Sequence, residues 1–168
     1  MYCPKCGKQN FIEDSFKSFK CKDCSFSVFM NAGAAVVAII RNEDNEVLFT
    51  VRKHNPFAGM LDLPGGFVDY EENAEDALKR EVKEELNLDI YDIKYLLSLP
   101  NIYEFEGIAY HTLDLAFTCK VKDFLTIRTD DDVSGFKFIS RKMVLIDDIG
   151  LRSVKEIVGI LKGVTREI

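Results

Sequence analysis

The helix predicted over residues 73–86 places carboxylates inside its own apolar face. At about 100° per residue, the apolar side chains of this segment fall within one broad sector. That sector contains Ala74, Ala77, Leu78, Val82 and Leu86. Glu81 and Glu85 project into the same sector, and Glu84 lies at its margin. An ordinary acidic surface helix keeps its carboxylates away from the buried stripe, so this segment needs another explanation.

Buried carboxylates require a compensating positive charge. Carboxylates held together away from water cost several kcal/mol each and raise one another's pKa. The remaining charged side chains project to the opposite, solvated side: Asp76, Lys79, Arg80 and Lys83. Arg80 could reach around to one carboxylate but not to three. We therefore expect one or more divalent ions, and oxygen ligands favour Mg²⁺ or Mn²⁺ over Zn²⁺.

Hydrophobic periodicity predicts strands on both sides of this helix. They fall at 34–40, 46–51, about 93–98, 110–121 and 135–139, with a short extended piece at 61–66 that ends in a glycine turn. A last helix is predicted over about 150–162, with Gly163 as its C-cap. This order of elements indicates an α/β sandwich around a mixed sheet.

Four cysteines form two Cys-x-x-Cys pairs near the start of the chain: Cys3 with Cys6, and Cys21 with Cys24. This spacing predicts a tetrahedral Zn²⁺ site, with two disulfides or unrelated thiols as the alternative. About thirty residues are too few to form a core without a metal. Five phenylalanines are expected to pack around the site: Phe11, Phe16, Phe19, Phe26 and Phe29. We predict a zinc ribbon over residues 1–30 and a second domain over residues 31–168.

Charge and hydropathy exclude some classes of protein. The 28 Asp and Glu residues outnumber the 22 Lys and Arg residues, and the net charge of −6 argues against a dedicated DNA-binding protein. The longest apolar run, 32–40, is too short to span a bilayer, and the first residues resemble no secretory segment. A soluble cytoplasmic protein is therefore expected. Cys119 lies in an apolar run and is expected to be a small core residue.

The glycine turn and the acidic helix together have the spacing of a known pattern. Five residues separate Gly66 from Glu72, and seven more precede the run Arg-Glu-Val-Lys-Glu-Glu-Leu-Asn-Leu at 80–88. This arrangement resembles the Nudix signature, which has Gly where this chain has Asn87. The position follows a helix end, where the main chain adopts the left-handed conformation. Asn is the best substitute for Gly in that conformation. The resemblance implies an α/β/α sandwich that hydrolyses a nucleoside diphosphate linked to another moiety with Mg²⁺ or Mn²⁺.

The resemblance also implies a set of metal ligands. Three side chains resemble the family's metal-binding carboxylates: Glu81, Glu84 and Glu85. The main-chain carbonyl of Gly65 or Gly66 is expected to be a further ligand. Metals bound there would screen the charge of a pyrophosphate, lower the pKa of a water and assist the departure of a phosphate.

Two further residues of the pattern resemble orienting groups. Glu72 and Arg80 would hold the loop and the carboxylates through ion pairs. For the general base, Glu84 is the first candidate, ahead of Asp131 and Asp132. The residues that the resemblance assigns to catalysis are therefore Glu72, Arg80, Glu81, Glu84 and Glu85.

A four-cysteine ribbon directly before such a domain resembles the NADH pyrophosphatase branch, which also acts on NAD-capped RNA. That branch carries Ser-Gln-Pro-Trp-Pro-Phe-Pro after the signature, where this chain has Tyr-Leu-Leu-Ser-Leu-Pro-Asn-Ile-Tyr at 95–103. Tyr95, Ser98 and Pro100 fit that element and the other positions differ, so the layout is closer to other zinc-ribbon Nudix hydrolases. The expected substrate is NADH, ADP-ribose or a related dinucleotide, and capped RNA is the one nucleic-acid partner implied.

Substrate contacts are predicted from side-chain chemistry. Three aromatic residues could stack on a base, although strand packing explains their alternation equally well: Tyr103, Phe105 and Tyr110. Arg52 and Lys53 could meet phosphate oxygens or be ordinary charges at a strand end. His54 is expected at the surface, and His111 needs no catalytic role. Asp114, within an apolar run, is either a buried structural carboxylate or a substrate contact.

A second function of a different class stays open at this point. The domain could sense a nucleotide without turnover, while the ribbon contacts nucleic acid or a protein partner. The complete set of Glu81, Glu84 and Glu85 argues against a sensor, which has no need of every metal ligand. A homodimer built through the ribbon is compatible with either function.

Overall fold

The computed structural model describes residues 1–130 and 132–163. These residues divide into two units, with the boundary between Ala32 and Gly33. The first unit is an antiparallel sheet of three short strands, in the order β1 (Phe11–Ser15), β2 (Ser18–Cys21) and β3 (Ser27–Phe29). Its small apolar cluster is built around buried Cys3, Phe11 and Cys21, with Phe19 and Phe26 packed against them.

The prediction that five phenylalanines share this cluster is wrong for two of them. Phe16 is 90% exposed because it lies in the tight turn between β1 and β2, where Ser15 and Ser18 are already paired. Phe29 is exposed because side chains alternate along a strand, and its neighbour Val28 is the one that faces the cluster. Composition alone does not distinguish the two faces of so short a strand.

The second unit contains seven strands and two α-helices among its described residues. They are β4 (Gly33–Ile40), β5 (Glu46–Arg52), β6 (Leu61–Asp62), β7 (Gly65–Phe67), α1 (Ala74–Leu86), β8 (Ile90–Phe105), β9 (Ile108–Val121), β10 (Val133–Ser140) and α2 (Arg152–Leu161). One sheet has the order β7-β4-β9-β8 and is mixed, because β4 and β9 are parallel while the other pairs are antiparallel. The other sheet is antiparallel, in the order β10-β5-β6.

Alternate residues of β4 face two different cores. Val37 and Ile39 belong to a cluster with Val154 and Ile157 of α2. The intervening side chains pack with the apolar stripe of α1, as a sheet with a helix on each face requires: Val36, Ala38 and Ile40. The predicted α/β sandwich around a mixed sheet is therefore confirmed, and β4 is buried on both faces from residue 36 onward.

The largest difference from the predicted elements is the length of β8. A strand over about 93–98 was expected from the sequence, whereas β8 runs over sixteen residues and forms a long hairpin with β9. Pro100 and Asn101 break the periodicity that marks a strand, but β8 is an edge strand, where a missing N–H is tolerated. At the end of the chain, α2 begins at Arg152, later than predicted, and Gly163 follows its C-cap residue Lys162. Among the described residues, no helix combines the length and apolar character needed to cross a membrane.

Candidate functional site

The acidic helix α1 has well-defined ends. Asn73 caps its start, since the side-chain oxygen accepts a hydrogen bond from the Asp76 N–H at 2.9 Å. Asn87 ends it in the left-handed conformation, with φ 54° and ψ 32°, and its N–H donates to the Lys83 carbonyl. The expectation that Asn87 replaces a left-handed Gly is therefore confirmed. Its side chain also donates to the Thr126 carbonyl at 3.0 Å, a contact that Gly could not make.

Arg80 joins several carboxylates. Its Nη1 lies 2.7 Å from an oxygen of Glu81 and 3.1 Å from one of Glu84, and its Nη2 lies 2.9 Å from Glu72. Nη2 also donates to the Phe67 carbonyl at 2.9 Å. The hydrogen bond to Glu72, followed by those to the other glutamates, raises the pKa of this guanidinium despite its partial burial.

Two expectations about Arg80 are corrected by these contacts. It does not lie on a merely solvated side of the helix, and it pairs with two of the three signature glutamates, Glu81 and Glu84, instead of one, while also binding Glu72. The physical reason is the planar guanidinium, whose five N–H donors point in different directions and can bind several acceptors at once. Of the three signature glutamates, only Glu85 has no ion pair with Arg80 among the described residues.

Glu72 fixes the loop before α1. It accepts hydrogen bonds from Nε of Arg80 at 3.1 Å and from the Asp69 N–H at 3.1 Å. The hydrogen bond from Arg80 is the main reason that the pKa of Glu72 lies below its ordinary value. The structure thus brings Glu72 and Arg80 together, as an orienting pair would require.

Glu85 is the buried acid of the site. It is only 9% exposed, and its Oε2 accepts a hydrogen bond from the Gly65 N–H at 3.1 Å. Burial raises the pKa of this carboxyl well above its ordinary value, and repulsion from Asp62, Glu81 and Asp132 adds to the rise against the lowering effect of Gly65. Such a carboxylate is stabilised by a nearby cation.

Two consecutive glycines let the loop approach the helix and the sheet. A Cβ atom on Gly65 would lie 2.0 Å from the carbonyl oxygen of Val36, and one on Gly66 would lie 2.5 Å from Cδ of Glu81. A side chain at position 65 would collide with the main chain of β4, and one at position 66 would displace the carboxylate of Glu81. The loop therefore lies directly against the carboxylate of Glu81.

The donor set at this place suits Mg²⁺ or Mn²⁺. Glu81 and Glu85 offer carboxylate oxygens next to the main chain of the glycine loop, and hard oxygen donors are what these ions prefer. Glu84 is further out, with its side chain 49% exposed and its oxygen on Arg80. In the described part of the chain, the three glutamates do not converge as tightly as the cysteines do.

A cleft of about 420 Å³ opens beside this loop. Its walls come mainly from the glycine loop and from β4, β5, β8 and β9. Its polar and aromatic lining residues include Arg52, His54, Asp62, Phe67, Glu85, Asn101, Tyr103, Phe105, Thr112, Asp114 and Asp132, beside Gly65 and Gly66. Of the three predicted metal-binding glutamates, only Glu85 lines it. Phe67 packs edge-on against Tyr103 at 6.0 Å, and Tyr103 stacks on Phe105 at 6.4 Å.

Arg52 has a partner that sequence reasoning missed. Its Nη1 lies 2.7 Å from Oδ2 of Asp62. Its guanidinium carbon lies over the ring of Tyr103, 5.8 Å from the ring centroid. Its alternative interpretation as an ordinary strand-end charge is wrong, because the guanidinium is largely buried in this ion pair. Burial raises the pKa of Asp62 although Arg52 opposes that rise. The signal for Asp62 was present: it is the one acid between Leu61 and Leu63 in an apolar extended piece.

The other predicted candidates lie at different depths. His54 is exposed, as expected, and its Nε2 lies 3.7 Å from Asp132. Asp114 is buried, and its two oxygens accept hydrogen bonds from the hydroxyls of Thr112 at 2.6 Å and Ser153 at 2.5 Å, so it has structural partners inside the cleft wall. Asp131 lies outside the described residues.

Some predicted residues fall outside the cleft wall. Tyr110 is exposed and pairs with Tyr103 across the hairpin, and His111 is exposed as well. The main-chain N–H of Lys53 donates to the Asp132 carbonyl at 2.8 Å. Cys119 is a buried core residue, as expected, and burial raises the pKa of its thiol to about 12.

The four remaining cysteines converge in the first unit. The Sγ atoms of Cys3 and Cys24 are 3.8 Å apart, those of Cys6 and Cys21 are 3.7 Å apart, and all four lie within 4.8 Å of one another. None of them forms a disulfide.

Each Cys-x-x-Cys pair lies on the same kind of turn. Gly7 and Ser25 follow the pairs with φ 72° and 58°, and each donates its N–H to the carbonyl of the pair's first cysteine, Cys3 or Cys21. The two turns thus present two thiols each to one point, an arrangement compatible with Zn²⁺.

Comparison with known families agrees with this geometry. A family profile described as "NUDIX domain" matches residues 31–156, which is most of the chain. The protein therefore belongs to the Nudix family, and the resemblance seen in the sequence is confirmed.

Relatives from two organisms illustrate the range of similarity. The NAD-capped RNA hydrolase NudC of Vibrio atlanticus (strain LGP32) is 26% identical over 165 residues, which are 92% of this chain and 61% of that protein. An ADP-ribose pyrophosphatase of Methanocaldococcus jannaschii is 43% identical over 74 residues, 44% of this chain and 43% of that protein. The matched regions thus cover less than two thirds of either relative.

Solved structures share the fold. A NUDIX hydrolase from Nitrosomonas europaea superimposes with a TM-score of 0.69 at 22% identity, covering 92% of this chain and 86% of the other. The NUDIX domain of Shewanella oneidensis NrtR, in complex with ADP ribose, gives a TM-score of 0.65 at 22% identity, covering 82% of this chain and 91% of the other.

Proposed function

We propose that this protein is a Mg²⁺- or Mn²⁺-dependent pyrophosphohydrolase that cleaves the diphosphate of a nucleoside diphosphate derivative. The observation that carries the proposal is the buried carboxylate of Glu85, which lines the cleft against the Gly65 N–H and lies among other acids. A carboxylate that is buried among other acids is stabilised when it binds a cation. The activities named for the two curated relatives support the same reaction class.

In this proposal, Glu81, Glu84 and Glu85 hold the metal, together with the carbonyl of Gly65 or Gly66. When bound, the ion neutralises the diphosphate and makes a water more acidic. Arg80 keeps Glu81 and Glu84 oriented, and Glu72 holds Arg80 in turn. These are chain positions that match the Nudix signature.

The proposed substrate is NADH, ADP-ribose or a related dinucleotide, with NAD-capped RNA as a further member of the class. The cleft offers the aromatic pair Tyr103 and Phe105 for stacking against a base. Arg52, held by Asp62 at the same wall, supplies positive charge near the diphosphate. The domain over residues 31–168 would carry this activity, while Zn²⁺ on Cys3, Cys6, Cys21 and Cys24 would stabilise the ribbon over residues 1–30.

The decisive experiment is incubation of the purified protein with a nucleotide library and Mg²⁺ or Mn²⁺, with products resolved by mass. We expect metal-dependent release of a nucleoside monophosphate, lost in Glu85→Gln and Glu84→Gln. Glu75→Gln, an exposed change in the first turn of the same helix, is the matched control and should keep full activity. Tight nucleotide binding with no turnover by the wild-type protein would contradict the proposal and favour a sensor.

The general base is assigned to Glu84 in this proposal, with Asp132 as its rival. Glu84 is half exposed beside Arg80, whereas Asp132 lies in the cleft wall near His54. Loss of the general base lowers kcat and flattens the acidic limb of the curve of kcat against pH. We expect that signature for Glu84→Gln and a normal profile for Asp132→Asn, and the opposite result would transfer the role to Asp132.

A further inference from the structure

The floor of the cleft contains a buried amide that lacks a partner. Asn101, in β8, is only 4% exposed, and its side-chain Oδ1 is buried with no hydrogen-bond partner among the residues that the structure describes. The residue lines the same cleft as Glu85 and Tyr103. Buried acceptors are normally paired, and leaving one unpaired is costly to the fold.

The neighbours of Asn101 make this part of the cleft rich in acceptors. Thr112 lies directly opposite Asn101 on β9, so the two side chains share one face of the sheet. The hydroxyls of Thr112 and Ser153 both donate to Asp114. Their hydrogens are thereby used inside the wall. What these groups and the Oδ1 of Asn101 can still offer a ligand is lone pairs.

The fold itself gives no reason for an amide at this position. Leu99, two residues earlier on the same face, is a buried core residue, and Val37 on β4 belongs to the same cluster. Leucine has the same number of side-chain heavy atoms as asparagine, branched at the same carbon, and would continue this apolar surface without an unpaired oxygen. The amide is better explained by a group that enters the cleft.

We propose that Asn101 accepts a hydrogen bond from an O–H or N–H group on the part of the substrate that is not phosphate. An acceptor-rich floor next to the buried carboxyl of Asp114 repels phosphate oxygens, which have no hydrogen to donate. The diphosphate is thus directed toward the glutamates, and the donor-bearing moiety toward Asn101. Asn101 acts as a positioning residue for specificity. This inference rests on the proposed function, because it assumes a nucleotide in the cleft.

The test measures binding without turnover, so that it does not depend on catalysis. The Glu84→Gln protein is the reference, and it is compared with the same protein carrying Asn101→Leu or Asn101→Ala as well. Each is titrated in the presence of Mg²⁺ with four probes: ADP-ribose, its inosine analogue, NADH and inorganic pyrophosphate. Ile102→Ala, an exposed neighbour on the opposite face of β8, is the matched control. Thermal unfolding of each free protein is recorded in parallel.

We expect both Asn101 variants to bind at least one dinucleotide about 10-fold to 100-fold more weakly, with pyrophosphate affinity unchanged. The free Asn101→Leu protein should unfold at the same temperature as wild type or higher. A loss shared by ADP-ribose and its inosine analogue assigns the donor to a ribose hydroxyl. A loss for ADP-ribose but not its inosine analogue assigns it to the adenine amino group, and one confined to NADH assigns it to the nicotinamide amide.

Other results would overturn the inference. Unchanged dinucleotide affinity in both variants would show that Asn101 makes no ligand contact. Failure of both wild type and the Glu84→Gln reference to bind any dinucleotide would remove the ligand that the inference requires. Lower thermal stability together with weaker pyrophosphate binding would indicate a structural role. Normal wild-type binding with an Asn101 effect but no hydrolysis by wild type would refute the proposed reaction and leave this inference standing.

Discussion

Gly66 lies so close to Glu81 that a methyl group at position 66 would overlap the carboxylate: the added Cβ would be 2.5 Å from Cδ and 2.6 Å from both carboxylate oxygens. Glu81 is held in this place by Nη1 of Arg80 at 2.7 Å, and Arg80 is held by Glu72. The glycine, the two glutamates and the arginine of the signature are therefore one contact network. The fixed spacing of these four residues in the sequence is what allows their side chains and main chain to meet in the folded protein.

Substitution of Gly66 tests this contact. Gly66→Ala should displace Glu81 or the loop and reduce kcat/KM by at least about 10-fold, because small displacements of catalytic groups are costly. The free energy of unfolding should fall by about 1–3 kcal/mol from overpacking. Steady-state kinetics and urea unfolding measure the two effects.

The matched control for that substitution is Gly159→Ala. Gly159 lies within α2, and an added Cβ there meets nothing within 4 Å. The same chemical change should raise stability by about 0.5–1 kcal/mol and leave activity unaltered. Equal effects of the two substitutions would argue against a close contact between Gly66 and Glu81.

The ion pair of Glu72 and Arg80 should make stability depend on pH. The pKa of Glu72 is lowered in the folded protein, mainly by its hydrogen bond with Arg80. Its contribution to stability is therefore complete above the ordinary pKa of about 4.3 and is lost as the pH falls through the lowered value. Wild type should be more stable than Glu72→Gln at pH 7, and the difference should shrink steadily below about pH 5. A difference that is constant down to pH 2 would contradict this assignment.

Metal binding should be visible as stabilisation of the folded protein. An ion that binds only the folded state raises the unfolding temperature with its concentration. We expect Mg²⁺ and Mn²⁺ to raise the Tm of wild type and to have little effect on Glu85→Gln. In EDTA, Glu85→Gln should be the more stable protein at pH 7, because an uncharged amide replaces a buried carboxylate. Scanning calorimetry with and without metal measures both, and an equal Mg²⁺ response in the two proteins would exclude Glu85 as a ligand.

Removal of zinc should act on the first unit alone. We expect one Zn²⁺ per chain, and a strong chelator should expose four reactive thiols and unfold the sheet formed by β1, β2 and β3. Cys119 should react only on global unfolding, since it is buried in the core of the second unit and its pKa is raised to about 12. Thiol titration with Ellman-type reagents distinguishes the four cysteines of the first unit from Cys119. Five equally reactive thiols in the native protein would contradict the zinc site.

Local patterns predicted much of this structure. The cap and the left-handed end of α1 follow from Asn73 and Asn87, and the two faces of β4 follow from an unbroken apolar run. The burial of Glu85 follows from its position within the stripe of the helix. These features depend on neighbours within a few residues, so periodicity is sufficient to find them.

Other features depend on residues far apart in the chain. Arg52 pairs with Asp62 across adjacent strands, and Asn101 faces Thr112 because β8 continues past a proline as an edge strand. Arg80 reaches three carboxylates because the loop folds back onto α1. Neither secondary-structure propensity nor amino-acid composition predicts the register of a hairpin or the path of a loop.

The sequence by itself determined the chemical groups of the candidate site: carboxylates on one helix, a glycine turn before it and two pairs of thiols near the start of the chain. Only the tertiary structure decided which acids are neutralised by Arg80, which acid pairs with Arg52 and which buried polar atom of the cleft wall has no partner among the described residues. The physical reason is that desolvation and charge pairing are set by everything packed around a group, and that packing is fixed when the sheets and helices come together.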